Sequence, residues 1–255
     1  MIAAWLDQSD WGIFLGLLAL YGASGAIIHW ACYRPAWRNQ VLGFSGVVAP
    51  FFVAPAIIFA LLTSFLANDV WERDRVASRA ILEERDGLST IKELSRLTGP
   101  AMPKLRAAVR DYATSVLRDE WHSMQDARES PVTVQALDLL LHATADPAMA
   151  QQGGAALQNA LLSATLRVAA ARSTRFALSS HEIDQYKWAS VLILAILAQT
   201  GVAVVHLERQ KAQVLALGIF TASAITALGL IAVCEEPYHG SHQVSPAPLQ
   251  ELVDA

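Results

Sequence analysis

The stretch Gly43–Ala67, GFSGVVAPFFVAPAIIFALLTSFLA, contains no charged residue, and Asn68-Asp69-Val70-Trp71-Glu72-Arg73 follows it directly. At 1.5 Å per residue, an uncharged helix of about 20 residues crosses a hydrocarbon core of roughly 30 Å. Three further stretches are equally free of charge: Trp11–Ala31, Trp188–Leu207 and Val214–Cys234. Helices of a soluble core carry a polar face, and these have almost none. The pattern predicts an all-α integral membrane protein with four transmembrane helices, two near each end of a charged helical middle. It divides the chain into an N-terminal hairpin at 1–67, a helical cytosolic region at 68–187, a C-terminal hairpin at 188–234 and a tail at 235–255.

Composition agrees. The mean hydropathy is +0.34 and 54% of residues are hydrophobic. Residues 69–187 hold 15 of the 19 Lys and Arg and 16 of the 23 Asp and Glu. So even a balance argues against nucleic acid, which asks for a basic excess. Nor is there a polybasic cluster for anionic lipid. The first apolar stretch is too long for a signal peptide, and Asp7 and Asp10 precede it where a basic segment is expected; it reads as a retained helix. Cys32 and Cys234 fall at span ends on opposite sides of the membrane, which excludes pairing within one chain. Near the spans, Arg73, Arg75, Arg79, Arg175 and Lys187 stand on the side of the middle, against Arg34, Arg38, Arg209 and Lys211 on the other. That near-tie leaves a cytoplasmic middle, with cytoplasmic termini, as the default orientation in a bacterial inner membrane.

Beyond the second span, Val70, Trp71, Ala77, Ile81, Leu88, Ile91 and Leu94 keep helical spacing with no proline before Pro100. One rod is expected to run from the membrane into water and to stop at Gly99-Pro100. Pro50 and Pro55 predict a kink or an unwound start. Helices are expected at about Lys104–Arg128, Val132–Ala145 and Gln151–Leu178, with Gly153-Gly154 as a soft start. Ser179 and Glu182 have capping-box spacing and are expected to open the next helix.

Little here supports catalysis. No H-E-x-x-H, G-x-S-x-G, P-loop or dinucleotide fingerprint occurs. His239-x-x-His242 reads as a solvated tail rather than a metal site. The expectation is no enzyme, no metal and no cofactor. Gln199, with His29 and His206 near span ends, is the polar content of the spans besides hydroxyls. Coupled transporters keep ionisable groups at depth, so Gln199 reads as interhelical glue. Gly12-x-x-x-Gly16, Gly22-x-x-x-Ala26, Ala56-x-x-x-Ala60 and Gly218-x-x-x-Ala222 suit close packing within or between subunits.

The Asp69-x-Trp71-Glu72 exit from the second span, the following Ala77, Ala80, Glu83 and Glu84, then Tyr112, Glu120-Trp121, Pro237-Tyr238-His239-Gly240 and Val244-Ser245-Pro246-Ala247-Pro248-Leu249 form an ordered set. In order and spacing it resembles the bacterial bestrophin-like family, distantly similar to bestrophin ion channels, over about Gly43–Glu251. The resemblance implies a homopentamer in membrane lipid that passes small inorganic ions passively, the second helix lining a narrow apolar neck. It places the neck at Val53, Ile57 and Leu61. A one-residue shift selects Ala54, Ile58 and Leu62, and packing against neighbouring helices is the plainer role for this face. Calcium-clasp bestrophins follow the matching turn with a dense acidic run; here Ser241, His242, Gln243 and Val244 follow, so no hard-cation cage is expected. The rival reading is a non-conducting membrane sensor or scaffold whose helical middle binds a partner.

Overall fold

A computed structural model describes residues 2–43, 49–97, 102–124, 128–180, 183–238, 240 and 242–254. The described residues are helical, with no strand. In chain order the helices are α1 (Ile2–Leu6), α2 (Asp10–Tyr33), α3 (Pro35–Leu42), α4 (Ala49–Leu97), α5 (Pro103–Ser115), α6 (Trp121–Ser123), α7 (Pro131–Ala145), α8 (Pro147–Ser179), α9 (Gln185–Val205), α10 (Gln210–Val233) and α11 (Ala247–Asp254). Four of them are long and apolar enough to cross a membrane: α2, the apolar part of α4, α9 and α10. The rod expected from the second span is α4, 49 residues long, with Pro55 inside it.

Local chemistry sets most helix starts. Ser9 accepts from the Gly12 N–H, Ser130 from Thr133 and Asp146 from Ala148. These side chains satisfy amide donors that have no partner within the helix. Proline opens α3, α5, α7 and α8, where its missing N–H costs nothing.

Contacts divide the chain into two compact units. The first comprises Met1–Glu72, Ile183–Glu235 and Gly240–His242. In it α2, α9 and α10 pack on one another. Its core includes Ile13, Leu17, Tyr21, Leu66, Val70, Trp188 and Leu228. The second comprises Arg73–Glu182, Glu236–His239 and Gln243–Ala255. Its core includes Ile81, Leu88, Leu105, Val109, Tyr112, Leu140, Leu161 and Val168. Gly87 lets α4 come close to α8, because a Cβ there would run into Val168 and the Ala164 carbonyl.

Several sequence expectations need correction. The helix opening at Lys104 does not run unbroken to Arg128. It starts at Pro103 and passes through a π turn at Val116–Glu120. Ser179 does not cap the next helix; its hydroxyl donates back to the Phe176 carbonyl, within α8. The cap of α9 is Asp184, whose carboxylate accepts from the N–H groups of Tyr186 and Lys187, both at 3.1 Å. α8 begins at Pro147 and bends at Gly154, so the glycine pair lies inside it. α1, α3 and α11 are additions to the expected set, being short and outside the long apolar runs. The helix stop at Gly99-Pro100, together with Glu182 and His239, lies outside the described residues.

Gly154 has φ 79° and ψ 166°, a region essentially reserved for glycine. Gly154→Ala is expected to cost about 1–3 kcal/mol although the space around it is open. A thermal melt in detergent checks this; an unchanged midpoint means the bend straightens at no cost.

Candidate functional site

The apolar part of α4 is the first candidate. Val53, Ile57 and Leu61 are 47%, 59% and 51% exposed and share one face by i, i+4 spacing. In the shifted register Ile58 is exposed, but Leu62 is half-buried against the first unit's core. Phe59 turns toward Phe220, with ring centroids 5.9 Å apart. The side chains of Pro50, Phe51 and Phe52 lie outside the description.

The other three spans bond their buried amide side chains to one another. Gln199 on α9 is fully buried. Its amide N–H groups donate to the Tyr21 carbonyl at 3.0 Å and to the Thr221 hydroxyl at 2.8 Å, and its oxygen accepts from Ser24 at 2.6 Å. One side chain thereby ties α2, α9 and α10 together, the role expected of it. Gln213 acts in a similar way, donating to the Ala203 carbonyl at 2.7 Å and pairing with His29 Nδ1 at 2.7 Å. Sequence reading placed it just outside the fourth span. Where the apolar part of α4 ends, Lys187 Nζ donates to Asp69 at 2.6 Å and lies 3.8 Å from Asp184. Trp71 and Glu72 are exposed.

The second candidate is a buried charge network in the other unit. Glu84 on α4, Glu120 in the π turn and Arg175 on α8 are fully buried, and Arg172 nearly so. Arg175 donates through Nε to Glu84 Oε2 at 2.9 Å and through an Nη to Glu120 Oε1 at 2.6 Å. Arg172 donates twice to Glu120 Oε2, at 2.8 and 2.6 Å. The Tyr112 hydroxyl donates to Glu84 at 2.6 Å. Burial alone would lower the Arg175 pKa, but the Glu84 and Glu120 charges outweigh it and the net shift is upward. Two carboxylates meet two guanidiniums, so the cluster is charge-balanced. Glu84, Tyr112 and Glu120 stand in the sequence set above. Arg172 and Arg175 do not, although both continue the buried row of Leu161, Thr165 and Val168 on α8.

The tail residues reach the same region. Trp121 meets Tyr238 edge to face with centroids 5.9 Å apart, and Arg175 lies 5.8 Å from the Trp121 ring centroid. The Pro237 carbonyl accepts from the Val244 N–H at 2.8 Å. Gly240 has φ 77°. The Tyr238 hydroxyl is buried without a hydrogen-bond partner. Among the described residues, no group of His, Cys, Asp and Glu is placed to hold a metal ion.

Removing one partner of a buried ion pair strands the other charge. Arg175→Met is therefore expected to destabilise the fold by about 3–5 kcal/mol, read as a lower melting temperature. Arg175→Lys should recover little of that, because an ammonium cannot bridge two carboxylates as a guanidinium fork does. A melt unchanged in Arg175→Met contradicts the network's role.

Burial, then the Glu84 charge, pushes the Tyr112 phenol well above its usual pKa, and burial does the same for Tyr238. Above pH about 10 the unfolded chain releases protons that the folded chain keeps, so stability falls as pH rises. The loss is about 1.4 kcal/mol per pH unit for each tyrosine. Tyr238→Phe should be at least as stable as the parent at neutral pH, since it removes an unpartnered buried hydroxyl, and should lose stability less steeply above pH about 10. Parallel alkaline profiles would contradict this.

The Bestrophin-like domain family matches residues 19–249. Two variants of a bacterial bestrophin homologue from Klebsiella pneumoniae superpose with a TM-score of 0.73, at 12% and 13% identity, over 94% of this chain and 96% of theirs. A third variant gives 0.72 at 13% identity, over 97% and 96%. At such identity the likeness is one of fold. No curated protein matches. With four membrane-length apolar helices and a family match over all but its ends, the chain belongs to the bestrophin-like family of membrane proteins.

Proposed function

We propose that this chain is one subunit of a homopentameric channel in a bacterial inner membrane. Small ions pass down their gradient through an apolar neck lined by α4, with Val53, Ile57 and Leu61 one turn apart along it. The middle region and both termini are cytoplasmic in this reading. The observation that carries it is the match to the Bestrophin-like domain family over residues 19–249. α2, α9 and α10 spend their polar side chains on one another, through Gln199 and Gln213. Like those three helices, α4 leaves bulky apolar side chains uncovered, and Val53, Ile57 and Leu61 are among them.

An apolar constriction gates by dewetting and needs no charged residue. Narrow, water-repelling rings of Ile and Leu conduct only when they widen or wet. Closed cyclic symmetry is required, since a pore on an axis exists only if each α4 contributes equally. Family membership supports this reading, and so does a set of spans whose amides serve packing rather than ion coupling. The default orientation rests on the membrane-flanking Lys and Arg residues.

Purified protein in mild detergent is expected to run at five times the 27.6 kDa protomer mass. In planar bilayers, Ile57→Ala is expected to raise unitary conductance or leak by relieving the constriction. A stable dimer without current moves the reading to a membrane sensor. A pentamer whose current ignores Ile57 removes that residue from the neck.

A further inference from the structure

Lys92 and Arg96 stand one turn apart on α4, and Arg106 and Arg110 one turn apart on α5. Like charges at i, i+4 repel along a helix, and here two such rows converge. Together with Val109, Leu252 and Val253 they line a cavity of about 280 Å³ within the second unit. No carboxylate lines it among the described residues. Lys92 Nζ donates to the Leu252 carbonyl at 3.3 Å, which fastens α11 beside the cavity. α11 is seated there by the fully buried Leu249.

Helix-end electrostatics accounts for only part of this. Leu252 lies in the last turn of α11, where free carbonyls attract a cation, and Lys92 already answers that attraction. The three guanidiniums are left facing the cavity, with no described ion pair. Elsewhere in the same unit the buried arginines, Arg172 and Arg175, are matched by carboxylates. Arg96 and Arg110 are exposed and Lys92 and Arg106 half-buried, so burial does not demand a partner for them; the distinctive feature is that four cations and no described carboxylate line one hollow.

We propose that this cavity is a binding site for a compact phosphorylated anion. Guanidinium forks match the spacing of phosphate oxygens and bind them in bidentate fashion. A single carboxylate would offset one of four charges, whereas linked phosphates offset several. The volume sits at the low end of small-ligand cavities, about 300 Å³ and upward, which suits a few heavy atoms rather than a protein segment. The aliphatic wall of Val109, Leu252 and Val253 closes one side. An occupant here draws α4, α5 and α11 together, so occupancy stiffens the docking of the C-terminal helix.

The test is titration of the full-length protein in lipid-free detergent with inorganic tripolyphosphate, at fixed ionic strength, by calorimetry. Saturable binding is expected, weakened about tenfold in Arg106→Gln and again in Arg110→Gln, because each removes a charge-assisted contact. Lys104→Gln, an exposed lysine of α5 outside the cavity lining, should bind as the parent does. A second arm uses vesicles of phosphatidylglycerol in neutral lipid. If only the vesicles respond to the same two arginine substitutions, the phosphate comes from a lipid headgroup and the site stands. Absence of saturable binding in both arms, or equal weakening by Lys104→Gln, overturns the proposal. Conduction plays no part in the readout, so its outcome is independent of the channel reading.

Discussion

The second unit depends on a guanidinium held between two carboxylates. Arg175 reaches Glu84 on α4 and Glu120 in the π turn, so one side chain fixes three backbone segments. An apolar interface between two long helices tolerates slippage by a turn, since one Leu ridge replaces another. This one does not. A slip of α8 against α4 would strand a buried charge, and the penalty for that is several kcal/mol. The π turn belongs to the same logic: an extra residue in the helix turn re-aims the side chains beyond it, and Glu120 is the last residue of that turn. Trp121 comes next and receives Tyr238 from the tail. Charge pairing thus sets helix register, and helix register sets where the C-terminal segment docks.

In the spans the same rule operates without charge. A buried amide in hydrocarbon must find partners, and Gln199 and Gln213 find theirs across α2, α9 and α10. Such bonds contribute little energy each, on the order of 1 kcal/mol, but they choose one arrangement of three helices whose surfaces are otherwise interchangeable. α4 escapes this stitching along its apolar part. It joins the first unit through Phe59, Leu62, Leu66, Ala67 and Val70, one side of the helix. The opposite side remains for lipid, for another copy, or for an axis.

Legibility followed the length scale of the physics. Uncharged runs of about 20 residues have one explanation, so the spans could be read directly, and so could the uninterrupted α4. Caps built from one residue and its neighbour were less secure. Ser179 and Glu182 had the right spacing, yet Asp184 stands nearer the turn and accepts two amide N–H groups. The π turn left no mark in sequence, since its cause is tertiary: Glu120 must reach Arg172 and Arg175. Those arginines did leave a mark. On α8 the row Leu161, Thr165, Val168, Arg172 and Arg175 keeps helical spacing, so a core-facing arginine could be inferred from its place in the stripe. Counting them only as surface charge hid that.

Glycine spacing shows how one pattern serves two ends. Gly12 and Gly16 make room for Gln8 and Trp5 of their own chain, Gly229 for Phe14, and Gly25 faces Gln199. These are intramolecular fits, and they explain why small residues are frequent without invoking a second subunit. Gly22 and Gly218 are different, with nothing near them, and they line a shallow cavity between α2 and α10. The small residues thus hold the three stitched helices close. The surface that α4 leaves open includes Val53, Ile57, Ile58, Leu61 and Phe65, side chains too bulky for the close backbone approach that small-residue motifs permit. Any helix brought against that face would meet it through apolar side chains rather than through close backbone contact.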